Sequence, residues 1–346
     1  MAKNITMRDI AVKVGVSTVT VSKALGDKDG VGSELRTLIK ETAEEMGYHY
    51  SQAEKTFRKG RSYSIGVLME EHFTDHNSTV LPFYMRMYHS LVVQLSRFHY
   101  SVLLEMITAQ MLEKMQMPNV ISELRMDGLV ILGKVQENYL ALIRASGVPV
   151  VYLDFYDCHM EVPSVISDNV YGSYILTDYL IGLGHRKFAF VGSVDATPSI
   201  MDRYLGYYRA LLAHDLPHSE KDIIPDRGED GLNTPLLLPE ETDMPTAFVC
   251  NCDETAYILI EKLIGMGYRV PEDISVVGFD NYALGAYSLP KLTTIEVDMD
   301  EMSRQAVETL IRLMKGGEQV HGRKVIGGRL IIGESTARVR DENENR

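Results

Sequence analysis

Residues 9–25 read DIAVKVGVSTVTVSKAL: a short helix with one apolar face, a Gly-Val break, a serine, and a second short helix. Thr6 stands three residues before Asp9, the spacing of a capping box, so the first helix is expected to begin there. Ile10, Ala11 and Val14 share its inner face, and Gly15 ends it as a left-handed cap can. Ser17 is read as the cap of the next helix, which turns Val21, Ala24 and Leu25 inward. Ser33 is read as the cap of a third, with Leu35, Leu38, Ile39, Thr42 and Met46 on its apolar face and Gly47 closing it. A helix–turn–helix pair therefore opens a small three-helix unit. Such a pair either reads DNA or only fills a core.

The flanks favour DNA. Residues 50–62, YSQAEKTFRKGRS, hold four basic side chains and few core-forming ones, and read as a linker. Residues 1–61 carry 11 Lys/Arg against 8 Asp/Glu, whereas the remainder carries 24 against 40. The net charge of −13 thus hides a basic head on an acidic body.

With 346 residues, 45% hydrophobic and 24% charged, the chain has the composition of an ordinary soluble protein of two or three domains. No apolar run reaches membrane-spanning length, and MAKNITMRDI lacks the apolar core of a signal peptide. Three cysteines, an odd number, argue against a disulfide framework. A cytoplasmic location, with no membrane partner, is the expectation.

After residue 63 the pattern becomes α/β. Apolar strands at SIGVLM (64–69), SVLLE (101–105), GLVIL (128–132), VPVVYLD (148–154), KFAFVG (187–192), TAFVC (246–250) and ISVVGF (274–279) alternate with helical stretches. Continuous apolar strands imply parallel sheets covered on both faces, here two doubly wound subdomains. Ligands of such sheets bind beyond the carboxyl ends of the strands. Glu70, Glu71, Leu132, Asp154, Asp253 and Asp280 stand there, and Arg203 is placed at the opening of the helix after KFAFVG. Carboxylates and a guanidinium suit a ligand with several hydroxyls, and Phe83 and Tyr84 could floor a sugar ring. Each Asp taken singly could equally cap a helix or turn. Their shared position lifts the group above that reading.

Other chemistries fare worse. Glu70, Glu71, His72, Asp75 and His76 are ligand-type side chains, but histidines four apart converge only on a helix, and Asn77, Ser78 and Pro82 favour a loop. Cys250-Asn251-Cys252 has no second cysteine pair nearby, so buried small hydrophobes are a better reading than a zinc or redox site. GLGHRK precedes a strand and lacks a third glycine, so it is no dinucleotide fingerprint. Neither a phosphate-binding P-loop nor a nucleophile elbow occurs. No metal, no cofactor and no catalysis are expected.

ITMRDIAVKVGVSTVTVSKAL, LIKETAEEMGY, GRSYSIGVL, DGLVIL, VPVVYLD, LGHRKFAFVG, DRYLGYYRAL, VPEDISVVGFDN, LPKLTTI and GEST, in that order, resemble the LacI/GalR family of bacterial transcription regulators across essentially the whole chain. The resemblance implies a helix–turn–helix DNA-binding domain (1–50), a hinge (51–62), and an effector-binding and dimerisation domain (63–346) like periplasmic binding proteins. Its N-lobe would be about 63–163 with 293–325, and its C-lobe about 164–292 with 326–340. By position, the resemblance implies phosphate contacts for Thr6 and Ser17 and base-edge contacts for Thr18 and Val19, with Ser22 and Lys23 one turn on. Phe57 takes the hinge position from which a leucine usually enters the minor groove. Asp154, Arg203 and Asp280 match pocket positions, and Asp253 a nearby acidic one.

Three departures stand out. Cys252 and Leu132 replace polar amides of some sugar-binding members, the loop EEHFTDHNSTVLPFYM is longer than usual, and Gly26 replaces a common Asn. About ten residues follow Thr336 without leucine heptads, so a homodimer on a pseudo-palindromic operator is expected rather than a tetramer. The implied function is a repressor of a carbohydrate-utilisation operon, controlled by a small-molecule effector of the sugar or glycoside class. The rival is a cytoplasmic sugar-binding protein or enzyme whose N-terminal helices are structural.

Overall fold

The computed structural model describes residues 5–26, 28–46, 62–71, 81–157, 162–228, 233–282, 290–316 and 322–339, and the chain divides into two compact units, 1–63 and 64–346.

The first unit holds α1 (Met7–Val14), α2 (Thr18–Leu25) and α3 (Ser33–Glu45). Thr6 closes its capping box as expected, with Thr6 N and Oγ1 donating to Asp9 Oδ2 at 2.8 and 2.6 Å. Gly15 takes φ 75°, a left-handed conformation that glycine adopts without steric cost, and its N–H returns to Ala11 O. Ser17 Oγ accepts from Thr20 N at 3.1 Å and starts α2. Ile10, Ala11, Val21, Ala24, Leu25, Ile39 and Ala43 form the core. Two details differ from expectation. The cap of α3 is Gly32, with Ser33 its first helical residue, and Leu38 is 51% exposed because Ile39, Thr42 and Ala43 define the packed face.

The second unit runs β1 (Ser64–Glu70), α4 (Leu81–Ser96), β2 (Ser101–Ile107), α5 (Ala109–Glu113), α6 (Asn119–Ser122), β3 (Gly128–Leu132), α7 (Glu137–Ala145), β4 (Val150–Leu153) and β5 (Ser164–Ser167). There follow α8 (Asn169–Gly182), β6 (Phe188–Val191), α9 (Pro198–Ala213), β7 (Ile223–Ile224), β8 (Ala247–Cys250), α10 (Asp253–Gly265) and β9 (Ser275–Val277). β10 (Thr294–Glu296), α11 (Met299–Met314), β11 (Arg323–Ile326) and β12 (Arg329–Ile331) complete it. Two parallel sheets result, in the orders β11-β5-β4-β3-β1-β2 and β7-β6-β8-β9, while β10 and β12 form an antiparallel pair. The inner strands β3, β4, β6 and β8 are apolar and buried at every position, because helices cover both faces of the sheets there.

Strand order reverses at β1/β3 in the first sheet and at β6/β8 in the second, which marks a ligand crevice at the carboxyl ends. The first sheet reaches further than the sequence pattern implied. Ser164–Ser167 pairs with β4 and β11, so the chain leaves this lobe after residue 167 rather than 163, and Ile326 still belongs to it. Two serines in a four-residue strand hide it from an apolar-run reading. α11 returns to this lobe and packs on α4, where Ser90 Oγ donates to Asp300 Oδ1 at 2.7 Å.

Candidate functional site

The first unit presents one continuous outward face. Val21, Ala24 and Leu25 pack inward, which leaves Thr18, Val19 and Lys23 exposed and Ser22 at the margin. Val19 is 63% exposed. Thr6 and Ser17 are exposed at the two helix N-termini, where unpaired backbone N–H groups favour anions. Phe57 lies outside the described residues.

In the second unit a polar network gathers at the carboxyl ends of the strands. Arg203 is its centre. Nε donates to Asn169 Oδ1 at 2.8 Å, Nη1 to Asn251 O at 2.6 Å, and Nη2 to Asp280 Oδ1 at 3.0 Å. The guanidinium also lies 3.9 Å from the Phe279 ring centroid. Arg203 stands in the middle of α9 rather than at its start, so the helix carries it inward over the sheet end. From the other sheet, Tyr84 donates to Asp154 Oδ2 at 3.2 Å. Phe83 meets Tyr84 edge-to-face at 5.2 Å and Tyr282 at 6.3 Å.

Burial dominates the electrostatics. It pushes Asp154 up to about 7, against the pull of Arg203 and with the help of Asp280. Asp280 rises to about 6 for the same first reason, with Arg203 opposing. Burial likewise raises the Tyr84 phenol and the Asp253 carboxyl. Two carboxylates therefore face one guanidinium in a site that strips water. Asp154 and Asp280 both have positive φ, 67° and 110°, so the backbone bends sharply where each strand ends.

A model of "Bacterial regulatory proteins, lacI family" matches residues 6–51, and one of the "Periplasmic binding protein-like domain" matches 177–336. Residues 6–51 thus carry the lacI-family regulatory domain, and a periplasmic-binding-protein-like domain follows it. Among its LacI-family relatives, the HTH-type transcriptional repressor PurR of Glaesserella parasuis is 28% identical over 91% of this chain and 92% of its own. The repressor CytR of Escherichia coli K12 is 27% identical over 96% of both chains. The solved lac repressor dimer, bound to operator and the anti-inducer ONPF, shares the fold at a TM-score of 0.79 and 22% identity, covering 97% of this chain and all of that one.

The LacI-family fold brings Phe83, Tyr84, Asp154, Arg203 and Asp280 together and sets two expected residues apart. Glu70 is buried at the end of β1, where Oε1 accepts from Gln136 N at 3.1 Å ahead of α7. Asp253 begins α10 and accepts from Thr294 Oγ1 at 2.6 Å, tying α10 to β10. Sequence reading missed Asn169, Asn251, Asp226, Arg227 and the Tyr156–Asp202 pair. Asn251 directly follows β8 and carried a signal, but its flanking cysteines drew the reading to thiols. Both thiols are buried, and burial raises them above the ordinary range. Of the metal-type run 70–76, His72, Asp75 and His76 lie outside the described residues, and no group of three ligand-type side chains is placed around a metal among those described. No described helix is long and apolar enough to cross a membrane.

Proposed function

We propose that this chain is a sequence-specific, DNA-binding repressor whose hold on an operator is set by a small effector in the crevice between two lobes. The outward face of α2 carries the reading. Thr18, Ser22 and Lys23 supply hydrogen bonds, Val19 a methyl contact for thymine, and the caps Thr6 and Ser17 phosphate contacts. The repressor names of its relatives and the lac repressor's operator complex support it. Residues 1–50 serve as the head, 51–62 as the hinge with Phe57 as its wedge, and 63–346 as the effector and dimer domain.

The effector is a sugar or glycoside and the regulated genes serve carbohydrate use, because carboxylates, a guanidinium and aromatic rings converge at the crevice. The protein works as a cytoplasmic homodimer on a pseudo-palindromic site, by binding and without catalysis. Footprinting of the DNA around its gene tests this. A salt-sensitive, protected palindrome is expected. Lys23→Ala should lower the slope of log affinity on log salt by about one, while Val19→Ala keeps the slope and relaxes base choice. No protection at low salt would overturn the reading.

A further inference from the structure

Arg203, the guanidinium that the strand-end pattern singles out, has all three of its nitrogens engaged inside the protein and its side chain is only 7% exposed. The second sheet brings another guanidinium to the same carboxyl end. β7 pairs with β6 in the register Phe190↔Ile223 and Val191↔Ile224, so the chain leaves its edge at Pro225 and places Asp226 and Arg227 beside Asn251. We propose that Arg227 is the ligand-reading guanidinium of this lobe, donating from Nη1 to a neutral oxygen of the effector, and that Asp226 is its positioning residue. The proposal rests on the effector crevice described above.

Asp226 is 3% exposed and is a hub for four segments. It accepts from Ser193 N at 2.8 Å, Asn251 Nδ2 at 2.6 Å and Thr255 Oγ1 at 3.0 Å. Its two oxygens also take Arg227 Nε at 3.1 Å and Nη2 at 2.7 Å, the two-pronged pairing that fixes a guanidinium plane. Ser193 Oγ locks the backbone as well, accepting from Arg227 N at 3.1 Å and donating to Arg227 O at 2.9 Å. The guanidinium is thus held before any ligand arrives. Nη1 has no partner among the described residues, and the side chain keeps 18% of its exposure. A rigid donor with one open nitrogen is what selective recognition needs.

The neighbours decide the class of ligand group. Asp226 already balances the Arg227 charge, and Glu254 and Asp280 add negative charge nearby. An incoming phosphate or carboxylate would meet these carboxylates, whereas a hydroxyl or carbonyl oxygen would not. Arg227 therefore reads a neutral oxygen.

The test uses the full-length protein. Thermal midpoints are recorded with glucose, galactose, ribose, cellobiose and adenosine, and with the phosphorylated forms of glucose and ribose. In the wild type at least one neutral probe should raise the midpoint and the phosphorylated forms should not. Arg227→Lys keeps the charge but loses the fork, and should weaken that probe roughly 10- to 100-fold. Asp226→Asn combined with Arg227→Gln removes the buried pair as a unit and should do the same. An unliganded midpoint and an operator footprint on each variant report folding. Wild-type affinity in folded Arg227→Lys, or stabilisation by the phosphorylated forms alone, overturns the proposal. Silence from every neutral probe also overturns it when the operator footprint is intact. Loss of the wild-type footprint itself overturns the repressor reading instead.

Discussion

Asp154 and Asp280 show how single residues are shaped by the crevice. Asp280 holds φ 110°, a conformation that costs roughly 1–3 kcal/mol outside glycine, and is kept there by Arg203 and by its own N–H to Ile295 O at 2.8 Å. Asp154 has the larger titration shift, from 3.8 to about 7, with burial as the first cause. Between those values the folded chain keeps a proton that the unfolded chain has released. Its contribution to stability therefore falls as pH rises through that window and levels off above about 7. Asp154→Asn keeps the shape without the titration. Denaturation midpoints at about pH 5 and pH 8 should show the variant gaining on wild type by about 1–3 kcal/mol as pH rises. A constant difference between the two proteins would show that Asp154 is ionised throughout.

At the scale of elements, the closing segment acts as a strap. Ser335 is fully buried; its Oγ donates to Val276 O at 2.6 Å and accepts from Thr293 N at 2.9 Å. His185 joins the same seam, with Nδ1 at 3.0 Å from Thr246 Oγ1 and Nε2 at 3.1 Å from Ala337 O. Ser335→Ala orphans a buried N–H and a buried C=O, and should cost about 1–3 kcal/mol in urea unfolding, with operator affinity intact once folded. A loss below about 0.5 kcal/mol would mean that water replaces the hydroxyl. Elements of this kind also mark what can be read from sequence. The long strands were legible because burial on both faces forces continuous apolar runs. β11, with Arg323 and Lys324, was not, since its edge position relaxes that demand, and β5, though buried, breaks the apolar run with a serine at each end. β7 has two residues, so nothing in the pattern marked a strand end before Asp226. Asp154 and Asp280 were visible because the apolar runs VPVVYLD and ISVVGF led up to them.

For the whole second unit, the two lobes touch across the crevice mouth at specific points. Lys134 Nζ donates to Ala196 O at 2.5 Å, and Tyr156 OH donates to both Asp202 oxygens at 3.1 and 3.2 Å beneath the Arg323 guanidinium. An effector can change operator affinity only through different affinity for two lobe arrangements, so contacts made in one arrangement set how much ligand is needed. Burial raises the Asp202 carboxyl, while the hydrogen bond from Tyr156 and the Arg323 guanidinium pull against that rise. Tyr156→Phe removes that bond and nothing of the ring packing. At a net cost of about 0.5–1.5 kcal/mol to this lobe arrangement, the apparent Kd of a ligand that favours it should rise roughly 2- to 10-fold. Calorimetric titration of wild type and variant measures it. An unchanged Kd would place the Tyr156–Asp202 contact in both arrangements, leaving Lys134 and the aromatic floor to distinguish open from closed.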